Sequence, residues 1–491
     1  MSEDFSRKFA NNAAATAIDY LTDSACAFPD AVALRDRSSS ITYAELTRQA
    51  DAFSKKLRDC ADAERRRLLI SSEKMIETAV AICGTMLAGW TVACIDRKQP
   101  QANIEHVIET IRPDLALCCA DPAANASFEG AVSRHRIQRV ACSDTTSRET
   151  PALNQIVSYA DPETLYSIAF PSGTTGRPKA AATRHRTWLN VIDRYVRDFQ
   201  FGPDEVIGLQ SSFAYDAIMD MMSAFALGAP AVLIPDDLYD DGPAWAAFVR
   251  RTGVTSIMLV PAALRFTLMS FTPATRFPPM RRLIFTGDRI TPYEMDLVRR
   301  YVPRSVQLTN LYATTEVFYA LRGEIDRDAP KSTARLFPPT PDMDHRVVPE
   351  DNSPLADHAL LFRGDCVFEG YLDDPDVITR PDAGDGYFDN GDYFRRTPDG
   401  GLILRGRKDR RIKWQGFRIE PAEIEGAAES HPDVIEARCE VDPAGRLVLT
   451  FDAPDRVSEE ELRNFLRKGA HPDLAEHVVL AHNSLSANVR G

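Results

Sequence analysis

The sequence lacks the cysteine patterns that mark zinc-binding and disulfide-rich proteins. Its nine cysteines are scattered, their number is odd, and no Cys-x-x-Cys pair occurs. These features favour neither a zinc site nor a disulfide framework. The first residues include early acidic side chains and lack a long apolar core, so they do not resemble a secretory signal peptide. We therefore expect a cytoplasmic protein.

Positive charge is not in excess, which argues against a general affinity for nucleic acid or for an anionic membrane. The chain has 58 basic and 71 acidic residues and a net charge of −13. A global cationic surface is therefore absent, although a local basic patch is compatible with this balance. We expect neither nucleic acid nor membrane as a partner.

Long apolar runs are also scarce. The run from Thr78 to Ile95 has eighteen residues without a charge, which is the lower limit of a membrane-spanning length. It contains two glycines and ends in the β-rich sequence WTVACI. These features favour a buried helix followed by a buried parallel strand over a transmembrane helix.

Glycine is outnumbered by proline, 25 to 32, so each glycine cluster stands out. The hydrophobic share of 44% and the charged share of 26% are those of a globular protein and exclude a disordered or collagen-like chain. A length of 491 residues corresponds to about three or four domain-sized units.

Apolar, β-branched runs alternate with longer helical patterns over residues 1–400. This alternation predicts an α/β fold with mostly parallel sheets that are covered by helices. Buried strands are predicted at Arg67–Ile70, Thr91–Ile95, Ala231–Ile234 and Leu283–Thr286, and amphipathic helices at Tyr43–Asp59 and Ile104–Ile111.

The composition changes at residue 405, where a segment with seven basic residues and one acidic residue begins. It is followed by a predicted helix at Pro421–His431, two strand-like runs and a second predicted helix at Glu459–Gly469. We therefore predict a large multi-layer N-terminal domain over residues 1–405 and a small, mobile α+β domain over residues 406–491.

A glycine-containing loop, residues 171–179, separates an apolar run from a segment that is compatible with a helix. Its glycines permit a positive φ and a close backbone approach, its hydroxyls are donors, and its lysine is a cation, which together suit a polyphosphate. It is not a Walker A loop, because Pro178 replaces the second glycine and no Ser or Thr follows the lysine. The candidate phosphate ligands are Ser172, Gly173, Thr174, Thr175, Gly176 and Lys179.

With this loop, the sequence resembles the acyl-adenylate-forming (AMP-binding) superfamily, which includes acyl-CoA synthetases, luciferases and the adenylation domains of nonribosomal peptide synthetases. The resemblance covers almost the whole chain and is closest to stand-alone amino acid adenylation enzymes of the peptide-synthetase type. Ala313 replaces a glycine of one family motif. Six further collinear segments carry the resemblance: residues 41–46, 87–96, 310–316, 364–371, 387–392 and 406–420.

The resemblance implies that a carboxylate and MgATP form an acyl-AMP and pyrophosphate, and that the acyl group then passes to a thiol. A carboxylate is a poor acylating agent, and its attack on the α-phosphorus turns one oxygen into part of a phosphate leaving group. The protein therefore has to hold two anions in line and neutralise the accumulating charge. The implied cofactors are ATP and Mg²⁺.

The resemblance also implies roles for individual residues. Lys179 and its loop would hold the β- and γ-phosphates, Thr315 would contact the α-phosphate, and Glu316 would help to hold Mg²⁺, which carboxylate oxygen suits. These three residues form the expected catalytic set. The expected ligands of adenine and ribose are Asn310, Leu311, Tyr312, Asp392 and Arg407.

The basic segment from residue 405 to 418 corresponds to the junction between the two domains of the resembled family. Asp409 lies at the family's hinge position, about which the small domain rotates between adenylation and thioester formation. A hinge residue needs two accessible backbone states. We favour this role over a solvated face or a nucleic-acid contact.

The acid-binding pocket is harder to align. In the peptide-synthetase branch an aspartate pairs with the substrate ammonium. Anchoring on Phe213 with a one-residue insertion places Asp216 at that position, whereas gapless anchoring on the following helix places Tyr215 there and shifts Asp216 by one. A displaced aspartate would suit a β-amino group. Asp220 is a second candidate, with a more structural role expected.

The remaining pocket positions are apolar or neutral, so a second substrate charge would be costly to bury. The predicted substrate is a neutral, apolar amino acid, with α and β both open and β slightly favoured. By the same matching the pocket residues are Met219, Leu259, Ile284, Thr286, Gly287, Leu311, Phe318 and Tyr319.

The resembled family uses a lysine near its C-terminus for adenylation, and this sequence stops at Gly491 where that lysine is expected. We expect either a truncated sequence or a protein without this group. Arg490 carries a charge, but a guanidinium is a planar fork rather than a compact ammonium. Slow adenylate formation is the expected result, with a gain of orders of magnitude when a downstream lysine is added.

Three functions follow from these observations. The first is loading of an amino acid onto the phosphopantetheine thiol of an external carrier protein, as in antibiotic biosynthesis, since no carrier domain follows in the sequence. The second is an acyl- or aryl-CoA ligase. The third is a non-catalytic ATP-binding relative, which the missing lysine would favour.

Overall fold

The computed structural model of the 491-residue chain describes most of its length. The described residues are 14–60, 63–96, 98–119, 125–141, 151–170, 179–202, 204–328, 336–337, 343–350, 357–374, 376–410, 412–414, 417–419, 421–442, 446–454, 457–469 and 478–482.

Helices and strands alternate along the described chain. The α-helices are α1 (Asp19–Ala27), α2 (Tyr43–Arg58), α3 (Ile76–Leu87), α4 (Gln101–Ile111), α5 (Ala126–Arg134), α6 (His185–Phe199), α7 (Ala217–Leu227), α8 (Gly242–Thr252), α9 (Pro261–Met269), α10 (Pro292–Tyr301), α11 (Pro421–Glu429) and α12 (Glu459–Gly469).

The strands are β1 (Val32–Arg35), β2 (Ser40–Thr42), β3 (Arg67–Ser71), β4 (Thr91–Ile95), β5 (Leu115–Cys118), β6 (Gln138–Arg139), β7 (Leu165–Ala169), β8 (Ala180–Arg184), β9 (Ile207–Leu209), β10 (Ala231–Leu233), β11 (Ser256–Leu259), β12 (Arg282–Phe285), β13 (Gln307–Tyr312), β14 (Leu321–Glu324), β15 (Asp344–Pro349), β16 (His358–Arg363), β17 (Gly370–Asp374), β18 (Val377–Thr379), β19 (Phe388–Arg396), β20 (Leu402–Arg407), β21 (Ile412–Trp414), β22 (Phe417–Ile419), β23 (Glu436–Val441), β24 (Leu447–Asp452) and β25 (Val479–His482).

Local sequence signals explain where several helices begin. Helix α2 starts after a capping box in which Thr42 accepts from the backbone N–H of Glu45 and the Glu45 side chain accepts from the Thr42 N–H. Helix α10 has the same arrangement between Thr291 and Glu294, with Pro292 at its first position. Such boxes satisfy backbone donors that have no partner inside the helix.

Two eight-stranded sheets form the body of the molecule. Sheet I has the order β14-β13-β12-β11-β9-β10-β1-β2, and sheet II has the order β18-β17-β8-β7-β4-β3-β5-β6. Pairing is parallel from β1 through β10, β9, β11 and β12 to β13 in sheet I, and from β7 through β4, β3 and β5 to β6 in sheet II. Antiparallel pairs lie toward the sheet edges.

Helices cover both sheets on both faces. Helices α1, α2, α3, α6 and α7 share one apolar core with residues of the two sheets and therefore lie between them. Helices α4 and α5 pack on the other face of sheet II, and α8, α9 and α10 on the other face of sheet I. This layering confirms the predicted α/β fold with mostly parallel, helix-covered sheets.

The apolar run that approached a membrane-spanning length is a buried helix followed by a buried strand, as predicted. Helix α3 has all but one of its side chains buried, and all five residues of β4 are buried in sheet II. No helix in the described part of the chain is long and apolar enough to cross a membrane.

The C-terminal elements have an apolar core of their own. Strands β23, β24 and β25 form a three-stranded sheet that packs with α11 and α12. Two ion pairs connect this unit to residues beside sheet I. The guanidinium of Arg265 on α9 contacts Glu436 at 3.0 Å, as well as Glu294 on α10 at 3.2 Å, and that of Arg289, which precedes α10, contacts Glu429 at 2.8 Å.

Candidate active site

A cavity of about 820 Å³ opens between the two large sheets. Its walls come from residues that follow the carboxyl ends of parallel strands: Asp96 after β4, Ser211 after β9, Thr286 after β12 and Ala313 after β13. Clefts at this position are the usual ligand sites of open parallel sheets. The cavity is therefore the best candidate for a functional site in the described part of the chain.

One part of the wall, which we call the charged region, consists of Lys179, Thr315, Glu316, Tyr371 and Arg407. Lys179 directly precedes β8 of sheet II, Glu316 follows β13 of sheet I, and Tyr371 contacts both. The Tyr371 hydroxyl donates to Glu316 Oε1 at 2.6 Å, and the Lys179 Nζ lies 4.9 Å from the centre of the Tyr371 ring. A cation and a carboxylate are thus arranged around one aromatic ring.

A hydrogen-bonded network lies behind the charged region. The Tyr312 hydroxyl donates to Asp392, and the side-chain amide of Asn390 donates to the Tyr312 hydroxyl. Arg407 Nη1 lies 3.8 Å from Asp392 Oδ1, and the same guanidinium makes two hydrogen bonds to Asp409, at 3.0 and 3.1 Å. The arginine therefore connects the buried carboxylate of Asp392 to the cavity wall.

Burial raises the pKa of Asp392 to about 6, while Tyr312 and Arg407 oppose this rise. Asp409 and Glu316 add smaller contributions that raise it further. Asp392 is 5% exposed. A ligand can therefore donate a hydrogen bond to the Asp392 carboxylate only if it enters this buried position or displaces part of the network.

The expected hinge position also carries ion pairs. Asp409 lines the cavity within the short 3₁₀ turn Lys408–Arg410. Lys408 contacts Asp389 at 2.6 Å, and Arg410 contacts Glu425 of α11 at 2.6 Å. The turn is thus bonded on one side to β19 and on the other to the C-terminal unit.

A second part of the wall, which we call the aromatic region, consists of Tyr166, Trp188, Met219, Phe318 and Tyr319 together with Asp216. The rings of Trp188 and Phe318 lie 4.8 Å apart, and those of Tyr166 and Trp188 lie 5.2 Å apart. The Tyr319 hydroxyl donates a hydrogen bond to Asp198 Oδ2 at 2.9 Å. This region therefore presents mainly apolar surface around one carboxylate.

Asp216 directly precedes α7, and its side chain has no hydrogen bond or ion pair with any described residue. Asp216 is partly exposed and lines the cavity, and its burial raises the pKa of its carboxyl group to about 6. An ionised carboxylate in such surroundings gains from a cationic partner.

Asp220, one helical turn further along α7, is fully buried and does not line the cavity. Neither of its carboxyl oxygens has a hydrogen-bond partner among the described residues. Burial, with a smaller contribution from Asp216, raises the pKa of Asp220 well above its ordinary value. Burial therefore disfavours the charged form of Asp220, whereas Asp216 lines the cavity, where a cationic ligand can reach it.

Two predicted pocket residues do not line the cavity. Leu259 and Ile284 are both buried in apolar cores, whereas Met258 and Val260, the neighbours of Leu259, are in the cavity wall. The physical reason for Leu259 is strand alternation: Met258 and Leu259 point to opposite faces of β11. A shift of one residue along β11 therefore exchanges a side chain of the cavity wall for a side chain of the core.

The other predicted acid-pocket residues line the cavity: Tyr215, Asp216, Met219, Thr286, Gly287, Leu311, Phe318 and Tyr319. Gly287 has a φ of +81°, and a Cβ at this position would lie 3.1 Å from Val260 Cγ1. Any larger residue there would narrow the cavity and strain the backbone.

Sequence reasoning missed part of the wall. Besides Met258 and Tyr371, the cavity is lined by the charged residues Asp96, Lys98, Asp236 and Asp240. Asp236 is already paired with the buried Lys74 at 2.6 Å. Asp96 ends a segment that matches a family motif, which is a usable signal, whereas nothing in the local sequence marks Asp236 or Asp240.

Comparison with known proteins decides the family. The sequence profile described as "AMP-binding enzyme" matches residues 21–372, more than half of the chain.

The chain belongs to the AMP-binding enzyme family. It is an acyl-adenylate-forming, ATP-dependent ligase.

Relatives of this AMP-binding enzyme include an L-proline–[L-prolyl-carrier protein] ligase of Streptomyces coelicolor, 26% identical over 486 residues that cover 92% of this chain and 91% of the relative. The phenyloxazoline synthase MbtB of Mycobacterium tuberculosis is 26% identical over 435 residues, 86% of this chain but 30% of that protein. The crystal structure of ATP-bound MatB from Rhodopseudomonas palustris has the same fold, with a TM-score of 0.80, 19% identity and coverage of 97% of this chain and 98% of that chain.

Only some of the residues that are expected to bind the nucleotide line the cavity. Lys179, Leu311, Thr315, Glu316 and Arg407 line the cavity. Tyr312 and Asp392 lie in the network behind it, and Asn310, on β13, is not among the lining residues. The loop residues Ser172, Gly173, Thr174, Thr175 and Gly176 lie outside the described residues, as do residues 483–491 with Arg490.

The donors that are present suit magnesium. The carboxylate of Glu316 lines the cavity, and the described residues contain no group of three or more His, Cys, Asp or Glu side chains that could enclose a metal ion. This donor set fits Mg²⁺, which commonly takes one or two carboxylates and completes its shell with water and substrate phosphates. It does not fit an ion that requires a cage made only of protein.

Proposed function

We propose that the enzyme activates the carboxylate of an apolar α- or β-amino acid with MgATP and transfers the aminoacyl group to the phosphopantetheine thiol of a separate carrier protein. The observation that carries this proposal is Asp216, a carboxylate without a protein partner among the described residues, placed in an otherwise aromatic wall. A substrate ammonium supplies the missing charge.

The charged region supplies the chemistry of the first step. In-line attack of the substrate carboxylate on the α-phosphorus brings two anions together, so fixed positive charge and hydrogen-bond donors lower the barrier. Lys179 and the 172–176 loop would hold the β- and γ-phosphates, and Thr315 would donate to the α-phosphate. Mg²⁺, held by Glu316 and the phosphates, would neutralise charge as the pyrophosphate departs.

Asp392 and Arg407 would hold the ribose. A carboxylate accepts hydrogen bonds from two vicinal hydroxyls, and Arg407 already lies 3.8 Å from this carboxylate. Asn310 and Tyr312 would flank the adenine. Because the Tyr312 hydroxyl is bonded to Asp392, the two contacts are expected to form together.

The aromatic region would select the acid. The ammonium would pair with Asp216 while the side chain packs against Trp188, Met219 and Phe318, which favours apolar groups through the hydrophobic effect. A second charge buried against these side chains would be left unpaired. Both registers of the alignment remain in the proposal, and the register that displaces Asp216 by one residue supports a β-amino acid.

The relatives support a carrier protein as the acceptor, since the prolyl-carrier protein ligase matches over 91% of its own length. For the second step we propose that the small domain, residues 406–491, rotates about Asp409 relative to residues 1–405. The separate apolar core of the C-terminal unit supports this division. The ion pairs of Lys408 and Arg410 would be exchanged during the rotation.

Pyrophosphate exchange in the purified enzyme tests the proposal. The panel contains α-phenylalanine, β-phenylalanine, a medium-chain 3-amino acid and the des-amino counterpart of each. Exchange that requires the amino group supports the proposal. The relative exchange rates of the α- and β-amino acids then distinguish the two alignments of Asp216. Equal exchange with the des-amino acids would refute the pairing with Asp216.

The acceptor is tested separately with a phosphopantetheinylated carrier protein and with CoA at equal concentration. Acylated carrier protein detected by mass supports the proposed acceptor. Consumption of CoA in the absence of carrier protein would instead identify an acyl-CoA ligase.

A further inference from the structure

Tyr371 has contacts that none of the roles above explains. It ends the segment EGY, residues 369–371, and its side chain lines the cavity. Its hydroxyl donates to Glu316 Oε1 at 2.6 Å, and its ring faces the Lys179 ammonium at 4.9 Å. One side chain therefore contacts both charged residues to which the proposed function gives the phosphates and the metal ion.

Strand register explains why Tyr371 reaches Lys179. Strand β17 pairs antiparallel with β8, and Tyr371 lies opposite Ala181. Lys179 precedes Ala181 by two residues, and residues two apart on an extended chain share a face. The side chains of Lys179 and Tyr371 therefore emerge on the same side of sheet II, at a diagonal spacing that long side chains can span.

Backbone contacts explain why Tyr371 also reaches Glu316. The N–H of Phe368 donates to the backbone oxygen of Glu316 at 2.9 Å, and Val317 and Val367 form an antiparallel bridge. The ring of Phe368 packs edge-on against that of Tyr371 with the centres 4.8 Å apart. The segment that carries Tyr371 is thus bonded directly to the segment that carries Glu316.

We propose that Tyr371 is a positioning residue for the metal–nucleotide site. Its hydroxyl fixes one oxygen of Glu316, which orients the carboxylate toward the metal ion that the phosphates bring with them. Its ring holds the Lys179 ammonium by a cation–π contact within the usual 6 Å range. This inference rests on the proposed roles of Glu316 and Lys179 and extends them to a residue that acts through these two side chains.

A matched control exists elsewhere in the chain. The Tyr387 hydroxyl also donates to a carboxylate at 2.6 Å, that of Asp344, and its ring also faces cations, Arg346 at 4.1 Å and Arg363 at 4.6 Å. Neither Tyr387 nor Asp344 lines the cavity. Tyr387→Phe therefore removes a tyrosine–carboxylate hydrogen bond of the same length outside the cavity wall, at a carboxylate that keeps its contact with Arg363.

The test is a calorimetric titration with ATP, carried out once in EDTA and once in saturating Mg²⁺. Removing a hydrogen bond that orients a metal ligand typically costs ten- to a hundredfold in metal affinity. For Tyr371→Phe we expect the Mg²⁺-dependent gain in ATP affinity to fall about tenfold, with the affinity in EDTA unchanged because the ring remains. Tyr371→Leu should also weaken binding in EDTA, about two- to fivefold, because Lys179 loses the ring.

Tyr387→Phe should leave both affinities at the wild-type values, and thermal unfolding of all variants reports any loss of structure. Wild-type affinity for MgATP in Tyr371→Phe would overturn the inference, as would equal losses with and without Mg²⁺. The titration needs no acid and no turnover. Failure of the proposed acid or acceptor would therefore appear in the exchange and transfer assays and leave this result interpretable.

Discussion

The charged and aromatic regions of the cavity differ in how their polar groups are partnered. In the charged region and the network behind it, Glu316 is bonded to Tyr371, Asp392 to Tyr312, and Arg407 to Asp409. In the aromatic region, Asp216 has no partner among the described residues. The polar groups of the charged region are thus already paired within the protein, which suits the nucleotide that we propose it binds. The aromatic region holds one carboxylate without a partner in the described part of the chain, which suits the ammonium that we propose for the acid.

The largest expected effect comes from breaking the charged region. Glu316→Gln removes the negative charge that would hold Mg²⁺ but keeps the acceptor for Tyr371. We expect pyrophosphate exchange to fall about 10²- to 10³-fold, as when one group that stabilises a transition state is removed. The fall should be the same for every acid. A factor that depends on the acid would show that Glu316 serves the aromatic region.

Asp392→Asn tests whether the network behind the charged region binds the nucleotide and not the acid. Hydrogen bonds to a charged group contribute about 1.5–3 kcal/mol, so the KM for ATP should rise about ten- to a hundredfold. The KM for the acid should not change. In wild type, 2′-deoxyATP should be a poorer substrate than ATP, and the variant should no longer distinguish the two. Retained discrimination would argue against a contact between Asp392 and the ribose.

The pH dependence separates the regions further. Burial raises the pKa of Asp216 to about 6, so the carboxylate needed by the ammonium is lost as the pH falls below 6. At saturating ATP, kcat/KM for the amino acid should fall about five- to sixfold from pH 6 to pH 5, as the ionised fraction of Asp216 falls. Saturating ATP matters because the pKa of Asp392 is also about 6. A profile that is the same in Asp216→Asn would assign the pH effect to Asp392.

The last expected effect is on stability and not on activity. The pKa of Asp216 rises from 3.8 to about 6, so folding disfavours its ionised form. Well above pH 6 that cost is fully present, and it shrinks as the pH falls through 6 toward the unfolded value of 3.8, below which both states are protonated. Asp216→Asn should therefore raise the free energy of unfolding at pH 8 by up to about 3 kcal/mol, and by much less at pH 4. Denaturant titrations at the two pH values measure this difference.

The sequence predicted the sheets well because their strands are buried on both faces. The runs Arg67–Ile70 and Thr91–Ile95 are nearly continuous stretches of apolar residues, which is typical of strands that are buried on both faces. They correspond to β3 and β4 in the structure. In the C-terminal unit, Glu459–Gly469 is α12 at the predicted bounds. Such local signals are sufficient for elements but not for contacts between them.

The contacts of the site depend on pairs that are distant in sequence. Tyr312 and Asp392 are 80 residues apart, and Glu316 and Tyr371 are 55 apart. No local pattern reports that these side chains meet, because the meeting depends on how β13, β17 and β19 are arranged. Leu259 shows that a prediction within one strand is sensitive to register. In β11 the cavity wall is formed by Met258, and its neighbour Leu259 lies in the core.

The most direct test is the exchange rate for one amino acid and its des-amino counterpart in wild type and in Asp216→Asn. We predict that wild type prefers the amino acid by about a hundredfold, as expected for a buried ion pair, and that the variant reduces this preference to a few-fold through loss of the amino acid rate. An undiminished preference in Asp216→Asn would contradict the claim that this carboxylate recognises the substrate.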